Sequence, residues 1–199
     1  METLTANEIA ALLSRPNLRC PTGLRNRVIL ELLHRCGLRA GEVSLLELAD
    51  IRWKEETLRI RAEVQKGGHH LAGTEDGRKA VVTLDLEPHT CEWLARWRDV
   101  RRPYARKTKT PLLFCTLNGG PVYRQYIWEM VKRYAHKAGI DHPVWPHMIR
   151  HTYGTELLRE GLDIREVQTL MRHSDVRTTQ IYTHVNAEAL REKVRNRRA

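Results

Sequence analysis

The sequence predicts an α+β, predominantly helical fold with a small antiparallel β-sheet of about three strands. Two observations carry this prediction. Apolar residues recur at helical spacing through most of the chain, as in Leu24, Val28, Ile29, Leu32, Leu33 and Cys36. Only the stretch from Ile51 to Asp85 changes period, with alternation in Thr57-Leu58-Arg59-Ile60-Arg61 and a β-branched run in Ala80-Val81-Val82-Thr83-Leu84. At 199 residues the chain suits one domain, 1–199, long enough to bury a core of its own.

The elements follow in order. Thr5-Ala6-Asn7-Glu8 reads as a capping box opening a helix through Leu13, and Pro16 to Pro21 marks a loop. The next helix carries the Leu24 to Cys36 stripe and stops at Gly37, with Arg39 just beyond. Ala40 to Leu46 is a further short helix. Between the strands, Lys66-Gly67-Gly68-His69-His70-Leu71-Ala72-Gly73-Thr74-Glu75-Asp76-Gly77-Arg78 has the glycines and polar residues of a long hairpin connection. After Pro88, Trp93, Leu94 and Trp97 share a helical face, and 101–110 reads as a basic connector. Phe114 to Pro121 resembles a short strand and turn. Tyr123 to Ala138 is a helix with Ile127, Val131 and Tyr134 inward and Gly139 as its stop, and Pro143 and Pro146 bracket an extended approach to His147. The last third is helical: Thr152 to Arg159, a capping box at Asp163-Ile164-Arg165-Glu166 with Val167, Leu170 and Met171 as the apolar face, a helix capped by Ser174, and a basic tail.

Composition narrows the function. Thirty-four Lys and Arg stand against 24 Asp and Glu, a formal charge of +10, which favours a polyanionic partner. Cys20, Cys36, Cys91 and Cys115 are widely spaced, without C-x-x-C pairing, so neither a zinc site nor a disulfide framework is expected. Met1 to Thr5 lacks the features of a signal peptide, and no run reaches membrane-span length, so a cytoplasmic protein with no membrane partner is expected. Nothing resembles a P-loop, and no carboxylate cluster suits paired Mg²⁺ ions, so no metal or cofactor is expected.

The chemistry is concentrated in His147-Met148-Ile149-Arg150-His151-Thr152-Tyr153-Gly154, followed by His173-Ser174-Asp175 and Tyr182. Singly, each residue type has an ordinary life: a core histidine, a packing tyrosine, a solvated arginine. Together they suit attack on a phosphodiester by a phenol. Guanidiniums offer bidentate donors to non-bridging oxygens, imidazole titrates near working pH, and a tyrosine can store the bond energy covalently.

The run Cys36-Gly37-Leu38-Arg39-Ala40-Gly41-Glu42, the His147-x-x-Arg150 box and the run from His173 through Tyr182 to His184 together resemble the catalytic domain of tyrosine recombinases, the phage-integrase and Xer-type site-specific recombinases. The resemblance extends from about Thr5 to Val185. It implies a catalytic set of Arg39, Lys66, His147, Arg150, His173 and Tyr182, with Tyr182 as the nucleophile. It also implies a 3′-phosphotyrosine and a free 5′-hydroxyl, without ATP or metal. In that set Lys66 is the general acid, and Lys79, at the other end of the hairpin, is its rival. Glu42 reads as a brace for Arg39, and His151 as a packing residue. Arg172 stands where the family has a small glycine, which either adds a phosphate contact or alters the turn into His173. Arg124, Gln125, Lys132 and Arg133 suit groove or phosphate contacts and a solvated face equally.

The resemblance further implies double-stranded DNA as partner and a synaptic homo-tetramer, with 185–199 as the segment that docks onto a neighbouring protomer. The family's N-terminal DNA-clamp domain is expected to be absent from this chain. The alternatives are a type IB topoisomerase, which rejoins the same strand, and a DNA-binding regulator that keeps the fold without the chemistry.

Overall fold

A computed structural model describes residues 3–61 and 81–171. The elements are α1 (Ala6–Ser14), α2 (Pro21–Arg35), α3 (Ala40–Leu45), β1 (Ile51–Arg52), β2 (Thr57–Ile60), β3 (Val82–Asp85), α4 (Pro88–Thr108), α5 (Arg124–Lys137), α6 (Pro146–Arg159) and α7 (Ile164–Met171). The three strands form an antiparallel sheet in the order β1-β2-β3, with Leu58 opposite both Ile51 and Leu84. Helices predominate, and the α+β expectation stands.

α2 is the central helix. Pro21 opens it at a position where the missing N–H costs nothing, and the Cys20 thiol accepts from Gly23 N–H. Val28, Ile29, Leu30, Leu32 and Leu33 are all buried, an apolar surface that runs round the helix because α4 and α6 both pack on it. One continuous core extends from Leu4 to Ile149 and includes Trp97, whose ring stacks on Phe114 at 6.3 Å and whose indole N–H donates to Leu113 O at 2.9 Å. A second, small cluster of Leu158, Val167 and Met171 joins α7 to α6, with Tyr153, Leu157 and Leu162 packed around it.

Three expectations are corrected. Residues 101–110 are not a connector: α4 runs to Thr108 despite Pro103 within it. Arg101 is buried and donates to Thr110 O and Leu112 O, and Ala105 is buried as well, so tertiary anchorage on both sides of Pro103 outweighs the lost helical hydrogen bond. The approach to His147 is extended as far as Trp145, as expected, but the helix that follows starts at Pro146, six residues before Thr152. A proline fits the first helical position as well as a loop, and the pattern alone does not separate the two. The Phe114 to Pro121 stretch forms only an isolated bridge, Cys115 with Pro121, around a turn at Gly119. The hairpin connection with Lys66 and Lys79, the Ser174-capped helix and the tail 185–199 lie outside the described residues.

Candidate active site

The site begins where α2 ends. Gly37 adopts φ +55°, a left-handed conformation that reverses the chain after Cys36. Leu38 is buried, and Arg39 follows as the extended N-cap of α3. Glu42, three residues into that turn, reaches back. Its Oε2 accepts from the Arg39 backbone N–H at 2.8 Å, and its Oε1 accepts from the Arg39 guanidinium at 2.9 Å. One carboxylate thus satisfies a backbone donor at the helix start and fixes the side chain of the capping residue. Glu42 is buried, as its role of brace requires.

Arg150 comes to the same place from α6. It lies one turn after Pro146, is 3% exposed, and its two terminal nitrogens donate to Gly37 O and Met171 O. The Gly37 carbonyl sits just past the C-terminal end of α2, where the helix dipole leaves negative partial charge, and the Met171 carbonyl belongs to the last described residue of α7. The Arg150 guanidinium also lies 4.0 Å from Glu42 Oε2, so one buried carboxylate stands between two guanidiniums. Burial of a cation here is compensated by a countercharge and by oriented carbonyls.

His147 is exposed on the first turn of α6. Its spacing from Arg150 puts both on one helical stripe. His151, next in sequence to Arg150, is buried in the helix packing. Of the six expected catalytic residues, the structure therefore describes Arg39, His147 and Arg150, and brings Arg39 and Arg150 together on Glu42. Lys66, His173 and Tyr182 lie outside the described residues, as do Lys79 and Arg172. Met171, the last described residue, is two positions before His173, and its carbonyl is held by Arg150.

Two features of the site escaped the sequence reading. Carbonyl oxygens have no signature in a sequence, so the Gly37 and Met171 acceptors of Arg150 could not be seen; the glycine before Leu38-Arg39 was the sole hint. The second is a pair between α2 and α6, in which His34 Nε2 lies 3.2 Å from Glu156 Oε2. That close contact with the imidazole holds the Glu156 carboxyl below its usual range, against the opposing effect of burial, and nearby Arg35 and Arg159 reinforce it. Away from this cluster, Arg124, Gln125, Lys132 and Arg133 are exposed on α5, where Trp128 stacks on Trp145 at 6.3 Å. All four cysteines are free thiols, and among the described residues no helix is long and apolar enough to cross a membrane.

The arrangement is a pair of guanidiniums joined on one buried carboxylate, with an exposed imidazole one turn earlier on α6, and guanidiniums suit an oxyanion such as a phosphate. Comparison with known proteins gives the following. The model of the phage integrase family matches residues 2–189. Tyrosine recombinase XerD of Ralstonia nicotianae is 36% identical over 191 residues, 96% of this chain and 58% of that protein. Tyrosine recombinase XerD of Staphylococcus saprophyticus is 38% identical over 192 residues, 96% of this chain and 60% of that protein. The chain thus spans about three-fifths of the length of the curated relatives it matches. Among solved structures, XerA recombinase superposes with a TM-score of 0.77 at 28% identity, covering 100% of this chain and 66% of that one. The XerH site-specific recombinase bound to palindromic difH substrate, in its post-cleavage complex, gives a TM-score of 0.76 at 24% identity, covering 96% and 52%, and shares the fold.

Proposed function

Because the chain belongs to the phage integrase family, we propose that it is a site-specific DNA recombinase that cleaves and rejoins duplex DNA through a 3′-phosphotyrosine at Tyr182. The observation that supports this most is the joining of Arg39 and Arg150 on buried Glu42, with His147 exposed three residues before Arg150 on the same helix. Two guanidiniums held this way neutralise charge that grows on the non-bridging oxygens as the phosphorus is attacked, and they are in place before the reaction starts.

In this reading the Tyr182 oxygen forms a bond to phosphorus while the bond to the 5′-oxygen breaks. The phenolic proton passes to His147, His173 donates a further hydrogen bond to a non-bridging oxygen, and Lys66 gives a proton to the departing 5′-oxygen. Lys79 is the alternative donor. Attack by the 5′-hydroxyl of a partner strand reverses the step and completes the exchange, with no net hydrolysis. Residues 1–199 act as a catalytic domain on double-stranded DNA, assembled as a synaptic tetramer in which 185–199 docks onto a neighbour. The +10 charge supports such a partner through phosphate contacts and counterion release.

The test is covalent capture on nicked duplexes drawn from a genomic library, denatured in SDS, with EDTA present and Tyr182→Phe in parallel. A metal-independent adduct that Tyr182→Phe abolishes while still binding DNA supports the mechanism. DNA binding with no adduct from either protein would instead indicate a regulator, and relaxation of supercoils without strand exchange would indicate a topoisomerase.

A further inference from the structure

Arg150 does more than face a substrate, because it is itself built into a joint. Its two carbonyl acceptors come from segments with no covalent proximity, the turn after α2 and the end of α7, and something must hold both oxygens at one guanidinium. The packing around Gly37 supplies it. A Cβ placed on Gly37 would stand 2.4 Å from Cδ1 and 2.8 Å from Cε1 of Tyr153, and 3.3 Å from Sδ of Met171. The edge of the Tyr153 ring therefore occupies the space that any other residue's side chain would need, with the Met171 thioether beside it.

Tyr153 lies three residues after Arg150, so both project from one stripe of α6. The same ring packs on the small cluster of Leu158, Val167 and Met171 that holds α7. Gly37, Tyr153 and Met171 thus form a three-way contact directly behind the two carbonyls that Arg150 grips. The left-handed conformation at Gly37 aims its carbonyl, and the missing Cβ lets the ring close on it.

We infer that Tyr153 is a positioning residue for the reaction: its ring, seated on Gly37 and Met171, sets Arg150 relative to Arg39 on one side and to Met171 on the other. It does not touch the reacting atoms. It acts through the Gly37 and Met171 carbonyls, and its removal lets either one drift from the guanidinium. This inference rests on the recombinase reading, because it assigns Tyr153 a part in the step for which Arg150 is proposed.

The experiment is single-turnover adduct formation on a nicked duplex captured by the parent protein, with affinity for the same duplex and thermal unfolding measured in parallel. Tyr153→Ala should keep DNA affinity within about threefold while slowing adduct formation on the order of 10²-fold, as expected for a misplacement of about 1 Å at a reacting centre. Tyr153→Phe, which retains the ring edge, should restore the rate to within about threefold of the parent on the same reasoning. Gly37→Ala should slow the reaction as Tyr153→Ala does. An unchanged rate in Tyr153→Ala would overturn the inference, as would a loss of affinity and of folding in proportion to the loss of rate, or a Tyr153→Phe as slow as Tyr153→Ala. Failure of the parent itself to form an adduct would overturn the recombinase reading instead, so the two failures are distinct.

Discussion

Replacing Glu42 tests how much of the site is held by one carboxylate. Glu42 accepts from the Arg39 N–H at 2.8 Å and from its guanidinium at 2.9 Å. Hydrogen bonds to a charged group contribute about 1.5–3 kcal/mol each, so the pair is worth about 3–6 kcal/mol before rehydration is counted. The Arg39 side chain is 17% exposed and regains some water once released, which brings the expected cost of Glu42→Ala toward the lower end. At about 3 kcal/mol, and about 2–4 °C per kcal/mol for a chain of this size, the midpoint of thermal unfolding should fall by about 6–12 °C. Glu42→Gln fills the same volume but turns an NH₂ toward one of the two donors, so it should cost about half as much on the same hydrogen-bond scale. Both variants should also slow adduct formation, since Arg39 loses its fixed direction and Arg150 its nearby countercharge. The assay is thermal unfolding followed by circular dichroism, with single-turnover adduct formation on the same preparations. A Glu42→Ala protein that melts within about 3 °C of the parent, a shift worth about 1 kcal/mol, and cleaves at the parental rate would refute the brace.

Three further outcomes are expected. Arg150→Ala should suppress adduct formation by about 10²–10³-fold or more, and Arg150→Lys should not restore it, because an ammonium cannot bridge two carbonyls and an oxyanion as a planar fork does; a competent lysine variant would remove the argument from geometry. Pro103→Ala should raise stability in urea by about 1–3 kcal/mol by returning a helical hydrogen bond within α4, and a loss of stability would mean that the turn at Pro103 is needed for Arg101 to reach its carbonyls. Glu156 titrates below its ordinary range, chiefly through its close contact with His34. A carboxyl depressed on folding contributes its full stabilisation above its unfolded value and loses it as pH falls through the folded one, so Glu156→Gln should flatten the acid limb of stability below about pH 4.5 while changing little above it. An unaltered acid limb would show that the His34 contact carries no weight in folding.

Much of the fold was legible because its signals are local. The Thr5 to Glu8 box caps α1 as expected, with Glu8 Oε2 accepting from Thr5 N–H at 2.8 Å, and Asp163 and Glu166 cap α7 in the same reciprocal way. Gly37 and Gly139 stand at positive φ where the helical stripes run out. What was not legible depends on distant partners. No pattern within 101–110 says that Arg101 will find Leu112 O, and without that bond the helix would be expected to stop before Pro103. The site divides in the same way. Glu42 as a brace for Arg39 is a three-residue relation and was readable, whereas the convergence of Arg150 with Gly37 and Met171 spans 113 and 21 positions and needs the tertiary fold.

The attachment of α7 also sets a hierarchy of opening events. Its buried apolar side chains are Val167 and Met171, against the much larger core that secures α2, α4 and α5. The eight described residues of α7 would not by themselves remain helical once undocked. The amides of α7 should therefore exchange with solvent deuterium through sub-global openings far cheaper than those protecting α2, with the α2 amides exchanging only on global unfolding. Each such opening withdraws the Met171 carbonyl from Arg150 while Trp97 stays stacked on Phe114. On the proposed recombinase reading, mild denaturant should accordingly abolish adduct formation well before the tryptophan signal changes, so that functional inactivation precedes unfolding of the body.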